Sequence, residues 1–254
     1  MDHLSSSQIN LYMQCSLKYK FQYIDGLTKL FKSSGLVFGS AIHSAINWLH
    51  KERMNGNGVT LERLCRIFDA DWYAQKLDAK IRYKNGEQEL TLIVLAKEFL
   101  KLYFDHPHKE IKGTEVPFTV PLVNLSTGEQ IDMAFEGFFD LIEADDTIVE
   151  FKTSAQTMGQ DDADGHLQLT AYAYAYEMLY HKPPRLLKII DFVKNKKPKM
   201  IELETKRNKD DHQRFFHLAG QVLRGIRQGI FFPRQSFMCK DCEFAEGCFK
   251  WEGK

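Results

Sequence analysis

An aspartate, a glutamate and a lysine stand at positions 140, 150 and 152, inside a segment from Gly137 to Thr153 that is rich in apolar and aromatic residues. Two carboxylates and an ammonium brought to one small surface are the groups that hold a divalent cation and steer a water molecule for hydrolysis. Their convergence depends on strand register. Apolar residues alternate on both sides of Asp145-Asp146, the pattern of two strands joined by a polar turn. A three-residue loop centred on Asp145 sets Asp140 directly across from Glu150, and period-2 alternation puts Lys152 on the face of Glu150. Charges so placed are costly in an apolar hairpin unless they are paired or bound to metal. The other acids of the segment read differently: Asp145 and Asp146 as turn residues, Glu143 as an ordinary exposed charge.

A second chemistry-bearing group is sulfur. Cysteines occur at 15, 65, 239, 242 and 248, and the last three form a C-x2-C-x5-C run in a polar segment. Such spacing is hard to explain as packing. Three clustered thiols are one fewer than a zinc ion or an iron–sulfur cluster takes, so Cys15 or Cys65 must complete the set. Cys65, within an amphipathic pattern, reads as a buried small hydrophobe.

These groups need a scaffold, and 254 residues are enough for a large buried core. Lys and Arg total 34, as do Asp and Glu, so the chain does not coat nucleic acid by bulk charge, although a local basic groove remains open to it. No apolar run long enough to span a membrane and no secretory h-region is present, which predicts a cytoplasmic protein without disulfides. No G-x-x-x-x-G-K-[ST] motif occurs, so any motor must be another polypeptide.

Periodicity predicts a helix over 4–24, capped at Ser5 to Ser7, and others over 36–54, 60–81 and 87–106. Strands follow over 114–123, 130–142 and 147–153, then an acidic loop, Asp161 to Gly165, and a helix over 166–180. Strands over 186–193 and 199–204 flank a basic loop, and a helix over 210–229 leads to the cysteine tail. Lys194, Lys196, Lys197 and Lys199 of that loop could track phosphates, with Tyr174, Tyr176 and Phe192 as stacking aromatics.

In their order along the chain, these pieces resemble the PD-(D/E)XK nuclease superfamily, and within it the iron–sulfur RecB-like branch of CRISPR-associated exonucleases and AddB-type nuclease domains. Leu4 to Gln8 with Cys15 and Tyr19 resembles the opening helix of that branch, and Gly39 with His43 its G-x-x-x-H motif. Gly137 with Asp140 is similar to G-x-x-D, Glu150-Phe151-Lys152 to (D/E)-x-K, Gln168 with Tyr172 to Q-x-x-x-Y, and the tail to the three final cysteines. The implied fold is an α/β, restriction-endonuclease-like mixed-sheet core with an N-terminal helical insertion, its terminal segments joined by a cysteine-ligated cluster. As one integrated unit it divides into an N-terminal helix (1–35), a helical region carrying His43 (36–110), a nuclease core (111–230) and a cluster-binding tail (231–254).

The resemblance further implies that Asp140, Glu150, His43 and the Phe151 carbonyl hold Mg²⁺ or Mn²⁺, His43 favouring manganese. Lys152 would orient the attacking water, while Gln168 and Tyr172, one helical turn apart, would hold substrate or the water network. Glu115 would reach the metal through water. Cys15, Cys239, Cys242 and Cys248 would bind a [4Fe-4S] cluster, spacing alone also permitting zinc. The implied activity is a DNA exonuclease on single strands or frayed ends, in CRISPR prespacer processing beside integrase proteins. The competing readings are a repair nuclease beside a helicase subunit and a DNA-binding scaffold active only with partners.

Overall fold

A computed structural model describes residues 2–195 and 197–253; Lys196 of the basic loop lies outside the described residues. The chain opens with β1 (His3–Leu4), α1 (Ser6–Gln14) and α2 (Ser16–Tyr19), which runs into a π-helical turn at Lys20–Ile24. β2 (Lys32–Ser33), α3 (Ser34–Met54), α4 (Leu61–Asp78), β3 (Ile81–Arg82) and α5 (Glu89–Asp105) complete the first half. The second half holds β4 (Ile111–Val123), β5 (Gln130–Glu143), β6 (Thr147–Ser154), α6 (Gln160–Asp164) and α7 (Leu167–Tyr180). It continues through β7 (Leu186–Val193), β8 (Lys199–Thr205), α8 (Lys209–Arg227), a 3-10 turn at Phe237–Asp241 and α9 (Ala245–Phe249).

Six strands form one mixed sheet. β5 pairs with β4, β1 and β6, and the sheet continues through β7 to β8, with β1–β5 and β6–β7 parallel and the other pairs antiparallel. The β6–β7 connection passes through α6 and α7, as a parallel crossover requires. One sheet face, with Phe135, Phe139, Ile148 and Ile189, packs on α7 and α8 through Leu169, Tyr176, Phe215 and Val222. The other, with Val149, Phe151, Ile190 and Phe192, packs on α3, α4 and α5 through Phe38, Ile42, Phe68 and Phe99. Helices on both faces explain why β7 reads as a nearly unbroken apolar run rather than an alternating one.

The structure corrects several expectations. The single helix over 4–24 is broken: Leu4 belongs to β1, and Cys15 is extended at φ −164° and ψ 101°. The returning C-terminal segment takes the bonds a continuous helix would use, since the Leu17 amide donates to the Phe232 carbonyl and the Ser16 hydroxyl accepts from the Phe232 amide at 2.9 Å. The helix expected over 60–81 ends at Asp78, and Ile81–Arg82 pairs in parallel with Lys32–Ser33. The acidic loop contains α6, whose start is held by the Asp162 carboxylate accepting from the Gly159 amide at 2.8 Å.

Glu143 is buried instead of exposed, between Lys109 at 3.1 Å and Lys188 at 3.7 Å. Tyr174, Tyr176 and Phe192 are fully buried and cannot stack on a base. The Tyr174 hydroxyl is bound to the Pro121 and Val123 main chain, that of Tyr176 to Asp146, and Phe192 packs among the α3–α5 aromatics. Cys65 is half-buried on α4. Among the described residues no helix is long and apolar enough to cross a membrane.

Candidate active site

The site forms where β5 loses a neighbour. β4 lies along one edge of β5, so β1 and β6 must share the other. Among the described residues β1 pairs only at Ala134 and Phe135, and β6 only at Leu141 and Ile142, leaving a gap in the ladder whose last residue is Asp140. The Leu141–Val149 and Ile142–Ile148 pairs are those of a three-residue turn centred on Asp145, the register expected from the sequence. Beyond Leu141 the strands part. The Asp140 carboxylate then takes the place of a ladder bond, its Oδ2 accepting from the Phe151 amide at 3.0 Å.

Glycine makes the strand geometry possible at one further position. Gly137 is paired with Phe118, and a Cβ there would lie 2.5 Å from Phe118 Cζ. The glycine of G-x-x-D thus leaves room for a cross-strand aromatic ring beside the gap.

Three elements close on the gap. From β6, Glu150 is 1% exposed and places its Oε1 2.5 Å from the Lys152 ammonium. From α7, the Gln168 amide donates to Glu150 Oε2 at 2.9 Å and to the Tyr172 hydroxyl at 2.8 Å, while its carbonyl accepts from Lys152 at 2.8 Å. Tyr172 packs on Phe139 and directs its hydroxyl toward Asp140 Oδ1 at 3.5 Å, so it serves both core and site. From α3, His43 Nδ1 lies 3.5 Å from Asp140 Oδ2, and its ring meets that of Phe151 edge-on. Asp140, Glu150, Lys152, Gln168, Tyr172, His43 and Phe151 are therefore gathered in one place.

The electrostatics follow from burial. Burial, then the Glu150 carboxylate, raises Asp140 well above the usual carboxylate range, against the Phe151 amide and Lys152. Burial holds His43 below its ordinary value, which favours a neutral ring able to ligate a cation. Burial, followed by Glu150 and Asp140, keeps the Tyr172 hydroxyl protonated and a donor. Two acids crowded in a largely buried recess with a neutral imidazole are a donor set that a divalent cation would relieve, so the residues suit one. Among the described residues no group of three or more His, Cys, Asp or Glu side chains stands in a metal-holding arrangement. Glu150 is turned to Lys152 and Gln168, which occupy its two oxygens.

Other residues surround this centre. Glu115, at φ 45° between the pairs Thr114–Leu141 and Val116–Phe139, is taken up by Asn47 and Lys51 of α3. Asn47 Oδ1 also lies 3.1 Å from the Thr114 hydroxyl, which is 3.1 Å from the Asp140 carbonyl. Asn47 was not legible as part of the site, yet it stands one turn after His43. Asp191 was missed too: fully buried beside Lys152 in the ladder, it accepts from the Ser154 hydroxyl at 2.9 Å and the Met158 amide at 3.3 Å, holding the segment that leaves β6. An aspartate inside the apolar run of β7 was the available signal.

Where the two ends of the chain meet, Cys15, Cys242 and Cys248 pack around Leu17, Phe21 and Phe244. Cys239 is exposed, and Cys248 lies within electrostatic reach of all three other thiols. Lys18 binds Glu243 at 2.7 Å and Tyr12 donates to the Ile230 carbonyl at 2.7 Å, so the tail is fastened to α1 and α2.

A three-layer sheet carrying an acid on one strand, an acid-x-lysine on the next and a glutamine–tyrosine pair on a covering helix defines a class of phosphodiester-cleaving proteins. The profile of the PD-(D/E)XK nuclease superfamily matches residues 3–249, and the chain belongs to that superfamily. Among solved structures, a protein from Eubacterium rectale described as a "Putative exonuclease" superposes with a TM-score of 0.60 at 15% identity, over 98% of this chain and 88% of that one. The protein SSO0001 matches over 91% of this chain and 93% of that one at 15% identity, with a TM-score of 0.39. No curated protein matches the chain.

Proposed function

We infer that this nuclease is a divalent-metal-dependent DNA exonuclease, acting on single strands or frayed ends. The observation that carries the reading is the joining of Lys152, Glu150, Gln168, Tyr172 and Asp140 into one hydrogen-bonded set at the gap in β5. A Mg²⁺ or Mn²⁺ ion held by Asp140, Glu150, His43 and the Phe151 carbonyl would polarise the phosphoryl oxygens and activate water near neutral pH. Lys152 would orient that water and offset developing negative charge. Gln168 holds Lys152 and Glu150 at a fixed separation, and Tyr172 donates toward Asp140.

For the sulfur site, Cys15, Cys239, Cys242 and Cys248 form the set we assign to a [4Fe-4S] cluster. Its support is the gathering of Cys15, Cys242 and Cys248 at one apolar point where the two ends of the chain meet, with Cys239 exposed beside them. Iron and sulfide analysis of anaerobically purified protein, with zinc measured alongside, separates the two metals such thiols bind. The setting implied by the resemblance is end trimming for a CRISPR integrase or beside a helicase, and co-purification with either partner tells them apart.

The test of the activity is anaerobic digestion of end-labelled single-stranded DNA with Mn²⁺ or Mg²⁺, wild type against Lys152→Ala. Cleavage lost in the variant supports the reading, and the product ladder gives polarity. A wild type as inert as the variant while metal stays on the thiols rejects autonomous cleavage.

A further inference from the structure

The helix that carries Gln168 starts without the usual support. His166 is the N-cap of α7, and its side chain makes no capping bond, so the first turn is not held from within the helix. Gln168, the second residue of α7, lies in that turn and joins the helix to both Lys152 and Glu150.

Arg207 supplies the hold from outside. It stands between β8 and α8, half-buried. Its Nε donates to the Thr170 hydroxyl at 2.7 Å, and its Nη2 to the Ala163 carbonyl at 2.8 Å and the His166 carbonyl at 3.3 Å. Its Nη1 donates to the Thr205 hydroxyl at 2.8 Å and the Lys206 carbonyl at 2.9 Å. The Thr170 hydroxyl in turn donates to the His166 carbonyl at 3.3 Å, and that of Thr205 to Asp164 at 2.6 Å. One planar cation thus ties the last turn of α6, the cap and first turn of α7 and the end of β8. A guanidinium has five N–H donors, and here all five are engaged by carbonyl and hydroxyl oxygens. None is left for a phosphate, which sets Arg207 apart from an arginine that contacts DNA.

Resting on the nuclease reading above, we propose that Arg207 is a positioning residue for the reaction: by gripping His166 and Thr170 on either side of Gln168, it fixes the place from which Gln168 holds Lys152 and Glu150. An uncapped first turn opens at low cost, and a bonded frame on its carbonyl and hydroxyl removes that freedom. Lysine cannot take over the task, because a single ammonium has three donors and no planar fork to span three elements.

The experiment combines turnover with a signal that needs no cleavage. Values of kcat and KM for end-labelled single-stranded DNA are measured for wild type, Arg207→Lys, Thr170→Val, Gln168→Leu and the double variant Arg207→Lys with Gln168→Leu. The side-chain amide resonances of Gln168, identified by their loss in Gln168→Leu, are followed by NMR in metal-free protein. Expected for Arg207→Lys is a kcat about tenfold lower at unchanged KM, with the Gln168 signals moved toward those of a free side chain. Thr170→Val, which removes one acceptor and keeps the shape, moves both in the same direction by less. In the double variant Arg207→Lys adds nothing to the loss caused by Gln168→Leu. Additive losses, or Gln168 signals unmoved in both Arg207→Lys and Thr170→Val, overturn the assignment. So does a raised KM at unchanged kcat, which would make Arg207 a substrate contact. A wild type that does not cleave fails the nuclease reading instead, while the Gln168 signals still decide on Arg207.

Discussion

The side-chain oxygen of Gln168 lies 2.8 Å from the ammonium of Lys152, and the same amide group holds Glu150 through its nitrogen at 2.9 Å. One neutral side chain on α7 thus sets the relation between the acid and the lysine of β6. The acid and the lysine are themselves an ion pair at 2.5 Å, and Gln168 engages the other oxygen of Glu150. Replacing Gln168 by leucine keeps the volume and removes both contacts. Cleavage is expected to fall about 10- to 100-fold, as for other groups that orient a metal ligand. Manganese affinity, read by calorimetry, should weaken with it. A leucine variant with unchanged metal affinity and activity would show that Gln168 does not position the pair.

Tyr172 separates packing from chemistry. It is 2% exposed and lies against Phe118 and Phe139, so Tyr172→Ala should cost about 3–5 kcal/mol of stability, as large aromatic truncations do. Tyr172→Phe removes only a hydroxyl whose contacts run to Gln168 and Asp140, and should cost about 1 kcal/mol. Denaturant melts of the two variants together with their cleavage rates check this. Activity lost in Tyr172→Phe with near-normal stability assigns the hydroxyl to the site.

Gly137→Ala tests the room left for Phe118. Alanine is ordinarily favoured over glycine within a strand by about 0.5–1 kcal/mol. Here its Cβ would meet the Phe118 ring at 2.5 Å, and overpacking of that kind costs about 1–3 kcal/mol, so destabilisation wins. Pairing the change with Phe118→Leu should recover part of the loss in thermal melts. Additive effects would mean that the ring is not what excludes the methyl group.

Acid sensitivity should begin at the histidines. His50 is fully buried with its Nε2 2.6 Å from the Tyr103 hydroxyl, and burial, then His108 and Arg53, lowers it to about 3. Burial, then Arg53, lowers His108 to about 4. An unfolded histidine titrates near 6.5, so between that value and about 4 the unfolded chain binds more protons than the native one. The stability is fully present above the unfolded value and falls as pH drops through this window, by a few kcal/mol in order of magnitude. Melting temperatures taken from pH 7.5 down to 5 should decline steadily; a flat profile would contradict the burial of these rings.

Much of the site was legible because strand and helix periods are local properties. The hairpin register around Asp145 follows from apolar alternation and a polar turn, and Gln168 and Tyr172 share a face because they are four residues apart on a helix. The broken first helix was illegible, since its bonds at Ser16 and Leu17 go to Phe232, over 200 residues away. The burial of Tyr174, Tyr176 and Phe192 depended on helices covering both sheet faces, which no single segment announces.

The residue types and their spacing by themselves determined which groups could do hydrolytic chemistry, and along which strand and helix they lie. Only the tertiary structure decided that β1 and β6 share one edge of β5 and leave the gap at Asp140, that His43 on α3 reaches it, and that Asn47 and Asp191 stand beside it. The physical reason is that alternation reports which face of its own element a side chain occupies, whereas meeting another element depends on long-range pairing and burial.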